Sequence, residues 1–233
     1  MPAGFFNLST TTDIATPASP RCGACGLNRK CKSPKMPVTG NGRLGVLIVA
    51  EAPGATEDAE NKQLIGRAGQ RLRESMNRIG VELDADCWKT NAVICHPGKG
   101  ENPTDTQVES CRPNLLKTIR KLKPSVIILL GGTAVDSLIP ELWRRGKPGP
   151  IGLWVGWKIP SQRLNAWVCP NWHPSYLVRE NNPVLDVLFE EYLRKAFELN
   201  GKPWPDGPPD YAKEVKIVVE PDRAAKLIRS LSV

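Results

Sequence analysis

Short apolar runs recur along this chain and alternate with polar, helix-spaced stretches. The runs are "RLGVLIVA", "WKTNAVIC", "SVIILLGG" and "NAWVCP". Each is brief, apolar and bounded by glycine, proline or charge, the pattern of a strand covered on both faces. Between them the period changes. A helix is expected over 68–79, stopped by Gly80. A second is expected in "NPTDTQVESCRPNLLKTIRKLKP", with Thr104 as N-cap and Pro113 at a break or kink. "TAVDSLI" reads as a short helix and "IGLWVGWKIP" as a glycine-interrupted hairpin. Leu185, Leu188, Phe189, Tyr192, Leu193 and Ala196 recur at helical spacing and predict a helix over 184–199. Strands alternating with helices predict a three-layer α/β/α domain around a mostly parallel four-stranded sheet.

The ends read differently. Residues 1–20 are rich in Ser, Thr and Pro and lack a basic n-region, so they are expected to be a disordered leader and not a signal peptide. Residues 21–200 form the expected domain, beginning with a cysteine-bearing loop over 21–45. "NGKPWPDGPPDY" has the Pro/Gly density of a linker. After it "EVKIVV", "EPD" and "RAAKLIRSL" read as strand, turn and helix, an appendage over 201–233 that either docks on the main domain or begins a further domain. One strand and one helix bury no core of their own.

Composition narrows the class. The 233 residues are 40% hydrophobic and 24% charged, a globular balance, and the net charge of +8 suits a polyanionic partner. No apolar run is long enough to span a membrane, so the expected location is cytoplasmic, associated with the nucleoid, and nothing argues against a monomer. In a reducing compartment the seven cysteines are not a disulfide framework. Cys22 and Cys25 form a CxxC, Cys31 follows, and Cys95 and Cys111 lie downstream with fifteen residues between them. Thiolates in such pairs suit zinc or an iron–sulfur cluster. Cys87 and Cys169, within or beside expected strands, read as small buried hydrophobes.

Open α/β sheets bind ligands beyond the carboxyl ends of their strands. The first strand delivers Glu51 and then Glu57 and Asp58, the second Asn91, and the last His173. The only two histidines, His96 and His173, both precede proline.

These residues carry a resemblance. "CGAC", "AEAPGATED" leading to "LIGRAGQRL", "TNAVICHP" with Cys111 beyond it, and "HPSYL" occur in order. Together they resemble the CxxC, GEAPG…ED…FVGxAGxxL, TN-x-V-x-C-R-P…C and HPS motifs of the family 4, iron–sulfur uracil-DNA glycosylases, over about 22–199. The resemblance implies a 4Fe–4S cluster on Cys22, Cys25, Cys95 and Cys111, with Cys31 a bystander. The cluster would be a structural staple and not a participant in bond cleavage. It implies hydrolysis of the N-glycosidic bond of uracil, or a related modified pyrimidine, flipped out of single- or double-stranded DNA in base-excision repair. Asn91 would read uracil N3–H and O4. His173 and backbone N–H groups near Ala50 would stabilise charge on the departing base. Glu51, then Glu57, would position water or the sugar cation. Ala52 stands where other branches carry Asp or Asn. Ser175, Leu177 and Arg179 would meet DNA, Leu177 as a wedge and Arg179 at phosphate.

The chain departs from the pattern at Ala50, which replaces a glycine, and at "NKQLIG", which replaces GxPFVG and puts Leu64 where a Phe would stack on the base. "HPGKGENP" replaces a basic loop. The changes at Ala50 and Leu64, with the tail, leave one alternative, a non-catalytic DNA-binding module of the same fold within a larger replication or repair protein; the cysteines leave another, a zinc-stabilised nucleic-acid binder unrelated to the glycosylases.

Overall fold

The computed structural model describes residues 19–142, 147–201 and 218–231. Five strands, β1 (Val46–Ala50), β2 (Cys87–Asn91), β3 (Val126–Leu130), β4 (Ile159–Ser161) and β5 (Ala166–Asn171), form one sheet in the order β2-β1-β3-β5-β4. Every pairing is parallel except β4 with β5. The expected α/β class holds, and the strand count is corrected from four to five. The stretch read as a self-paired hairpin instead makes a 3₁₀ turn at Ile151–Leu153, then sends β4 against β5. Pro160 sits in β4 because an edge strand tolerates a missing N–H.

The strands alternate inward residues to two cores. Val46, Ile48, Ala50, Val126, Ile128 and Leu130 face one cluster with Leu72, Met76, Phe189 and Leu193. Those partners come from α3 (Arg67–Arg78) and α8 (Pro183–Phe197). Leu47, Val49, Ile127, Leu129 and Val168 face the other with Leu115, Ile119, Val135 and Leu138, from α5 (Asp105–Leu122) and α6 (Gly132–Leu142). Here α4 denotes Leu83–Asp86, α1 and α2 denote Cys22–Cys25 and Ala55–Glu60, and α7 denotes Pro174–Glu180.

Local chemistry explains the helix limits. Thr104 Oγ1 accepts from Gln107 N at 3.3 Å while Gln107 Oε1 accepts from Thr104 N at 2.9 Å, a capping box that starts α5. Of the break or kink expected at Pro113, the break does not occur: α5 runs through it. The carbonyl that proline leaves without a donor belongs to Glu109, an exposed residue that water can serve. On the next residue, the Ser110 carbonyl accepts the Arg21 N–H at 3.1 Å, tying the CxxC turn to α5.

The chain divides into two compact units, and the elements above belong to Thr12–Lys202. Of the other unit the described part is 218–231, chiefly α9 (Pro221–Leu231), which opens on a proline at its first turn. Most of the expected leader, linker and tail strand lies outside the described residues. Among the described residues no helix is long and apolar enough to cross a membrane.

Candidate active site and cysteine pocket

Parallel pairing brings the carboxyl ends of β1, β2, β3 and β5 to one edge. Ala50 is in register with Asn91, and Ala92 and Val93 continue the ladder, donating to Ala50 O at 2.8 Å and Glu51 O at 3.0 Å. At the end of β3, Gly131 has φ +90° and donates to Asn171 O at 2.9 Å. A Cβ on Gly131 would lie 3.0 Å from the His173 Cβ, so glycine allows the imidazole to rest against the end of β3. Glu51, Asn91 and His173 therefore share one edge. With strands about 4.8 Å apart, β2 to β5 spans about 14 Å.

His173 is the N-cap of α7, with Pro174 at the first helical position. Its Nδ1 accepts from Ser175 N at 3.3 Å and lies 2.7 Å from Ser175 Oγ, which in turn accepts from Arg179 at 3.3 Å. A backbone N–H can only donate, so Nδ1 carries the lone pair and the ring proton is on Nε2. Burial, and then the Arg179 cation, push the imidazole pKa down to about 4. The ring is neutral at pH 7 and offers one N–H.

Asn91 is 2% exposed and Gln63 is fully buried. Asn91 Nδ2 donates to Gln63 Oε1, and Gln63 Nε2 donates to Pro37 O at 3.1 Å. Asn91 Oδ1 is buried with no hydrogen-bond partner. Sequence reasoning missed Gln63; the available signal was a long amide at the position of the motif's proline.

The acids divide by partner. Glu51 Oε2 accepts from Thr133 Oγ1 at 2.9 Å, at the start of α6. Glu57 is buried in α2, and its Oε1 accepts from Ile65 N at 3.1 Å and Gly66 N at 2.7 Å. That carboxylate braces the loop before α3. Asp58 accepts from Lys32 N at 3.0 Å and Ser33 N at 2.8 Å, joining α2 to the cysteine-bearing loop. His96 Nδ1 meets Pro53 O at 2.7 Å, so that nitrogen carries the proton and ties the loop after β2 to the strand-end turn. Thr133 and His96 were also missed as partners of this edge.

Leu64 has φ +52° and is buried in the same apolar cluster as Ala50 and Leu177. A Cβ on Gly69 would come within 2.0 Å of the Leu64 carbonyl oxygen, so only glycine lets this turn seat on α3. Leu177 corrects an expectation. It is 2% exposed and packs in the core, and a wedge must stand free of the surface. The reason is helical: "PSYLVRE" forms α7, which turns Pro174 and Leu177 inward and leaves Arg179 exposed. Ala52 lies half-buried against the cysteine cluster.

Cys22, Cys25, Cys95 and Cys111 line one pocket of about 290 Å³, part of it open to solvent, with Asn28, Val93, Ile94 and Ser110. Cys31 abuts Cys95 without lining that pocket. N–H groups point at two of the sulfurs: Lys35 N at 3.2 Å from Cys95 Sγ, and Ile94 N at 3.4 Å and Asn114 Nδ2 at 3.5 Å from Cys111 Sγ. Burial pushes the Cys95 thiol up to about 12 and raises Cys111 as well. Among the described residues no three His, Cys, Asp or Glu side chains converge closely enough to hold a single ion. Cys87 and Cys169 are buried core thiols as expected, Cys169 pushed up to about 12 by burial.

An open, mostly parallel sheet with an amide, an acid and a neutral imidazole on its carboxyl edge defines a ligand-binding α/β protein. The sequence profile of the Uracil DNA glycosylase superfamily matches residues 37–198, and the chain belongs to that superfamily. The Type-4 uracil-DNA glycosylase of Pyrobaculum aerophilum is 35% identical over 178 residues, 76% of this chain and 88% of that protein. Proteins of the same description from Thermotoga maritima and Saccharolobus solfataricus are 31% and 29% identical, covering 79% and 78% of this chain and 92% and 84% of their own lengths.

Proposed function

We propose that this chain is a monofunctional uracil-DNA glycosylase of base-excision repair, and the observation that carries the reading is the pairing of an unpartnered Asn91 acceptor with a neutral His173 donor on one sheet edge. Asn91 Oδ1 accepts uracil N3–H while the free N–H of its NH₂ group donates to O4. Cytosine reverses both atoms and is refused. The C1′–N1 bond breaks, and its electron pair leaves with the base as charge shared with O2. His173 Nε2–H donates to that oxygen. Glu51, one oxygen held by Thr133, turns the other toward water and the cationic sugar. The water oxygen adds to C1′, and its proton passes to solvent by way of Glu51. Glu57 acts at one remove, bracing the loop. Arg179 and Ser175 face the backbone phosphates.

The four-cysteine pocket fits a 4Fe–4S cluster: thiols from three separate segments surround a space, and amide donors address the sulfurs. Cys22, Cys25, Cys95 and Cys111 would hold it. A bound cluster supplies cross-linking and no chemistry at the glycosidic bond. The reading includes a monomer at work on DNA in the cytoplasm.

The test is incubation with single- and double-stranded oligonucleotides that contain one uracil, followed by alkali. Strand scission at the uracil position is expected. DNA binding without base release would instead establish the non-catalytic module.

A further inference from the structure

Resting on that reading, we propose that Gln63 sets base selectivity by locking the rotation of the Asn91 amide. An asparagine amide has two nearly isosteric ends. Turned one way it presents an acceptor where uracil has N3–H; turned the other way it presents a donor where cytosine has its N3 lone pair. An unconstrained asparagine would serve either base, so something must hold it.

The holding groups form a directional chain. Pro37 contributes a carbonyl, which can only accept. Gln63 Nε2 donates to it at 3.1 Å, and this turns Gln63 Oε1 the other way. Oε1 can only accept, so the end of Asn91 that meets it is the NH₂ group. Asn91 Oδ1 is left facing elsewhere, buried and unpartnered. Rotating Asn91 by half a turn would set two amide oxygens against each other in a site where Gln63 is fully buried and Asn91 is 2% exposed. Rotating both amides would leave Gln63 Oε1 against the Pro37 carbonyl, which moves the clash one residue along. The preference therefore originates at a backbone carbonyl that cannot be reversed. A proline at position 63, as in the motif this chain resembles, has no amide and builds no such relay. The lock belongs to the same short loop as the Leu64 substitution.

The test measures single-turnover release of uracil and of cytosine from matched single-stranded oligonucleotides, with the affinity for abasic-site DNA measured in parallel. Gln63→Leu removes the acceptor. Its uracil rate is expected to fall about 10- to 100-fold, with the uracil-to-cytosine ratio falling and abasic-site affinity unchanged. Gln63→Glu has an oxygen for Asn91 Nδ2 at either end; protonated, its hydroxyl takes the place of Nε2 as donor to Pro37 O, so its ratio is expected to stay at the wild-type value. A merely structural Gln63 would lower both rates together in both variants and leave the ratio alone, and that result overturns the lock. Should Gln63→Leu unfold, the wild-type protein decides. Free uracil, but not cytosine, is expected to shift the Gln63 side-chain amide resonances, and their indifference to uracil overturns the proposal. A wild-type enzyme that releases no uracil removes the parent reading and the lock with it; uracil release with an insensitive ratio removes the lock alone.

Discussion

His173→Asn separates the chemistry of the imidazole from its place in the fold. Asparagine is a strong N-cap, so it can still accept from Ser175 N and start α7. It is too short to put an N–H where Nε2 stood. On the proposed mechanism the loss is one neutral donor at an oxygen that gains charge in the transition state, worth about 10²–10³ in rate. The pH profile carries the sharper demand. Burial and Arg179 hold the imidazole pKa at about 4, so the ring is already neutral at pH 5.5 and stays neutral above it. Single-turnover rates of the wild type should show no His173 titration between pH 5.5 and 8, and the variant should lie below by a constant factor. A descending limb near pH 6.5 that vanished in the variant would make His173 an imidazolium acid and refute the tautomer argument. The same shift has a sign for stability. The folded pKa lies below the ordinary 6.5, so the unfolded chain takes up the proton first as pH falls. The native state loses stability as pH drops from about 6.5 toward 4, and His173→Asn should flatten that loss in urea titrations.

Other outcomes follow from single contacts. Gly69→Ala places a methyl 2.0 Å from the Leu64 oxygen and should cost about 1–3 kcal/mol in urea unfolding; an unchanged midpoint would mean the loop is free to move. Cys111→Ser should abolish the broad absorbance of the anaerobically purified protein near roughly 400 nm. Cys31→Ser should keep it, and the reverse pattern would reassign the ligands. Arg179→Ala should weaken binding to any DNA sequence alike and reduce the salt slope by about 1; an unchanged slope places Arg179 away from phosphate.

The sheet and its polar edge were legible because fully buried strands advertise themselves as apolar runs, and parallel pairing fixes which end each run presents. Glu51, Asn91 and His173 could be placed on one edge from that alone. What stayed hidden depends on partners distant in sequence. β4 is three residues long and contains a proline, below any periodic signal. Leu177 reads as exposed until "HPSYL" is recognised as a helix start, with His173 as cap and Pro174 at its first position. Nothing local to Glu57 says that its carboxylate meets the amides of Ile65 and Gly66, and nothing local to Gln63 points to Pro37. Pro113 stops short of a break because the carbonyl it orphans, on exposed Glu109, can turn to water.

The strand order also sets a timetable. β1 lies between β2 and β3, and β5 joins the other parallel strands through β3. As the chain leaves the ribosome, the first strand must wait for Val126 before its second neighbour exists, and the edge gains its imidazole only after Ala166–Asn171 has docked. Pairings of such long sequence separation form slowly. A nascent chain stopped before Ala166 already contains all four pocket cysteines, Gln63 and Asn91. On the proposed mechanism, it has every group that names the base and lacks the one that helps it leave.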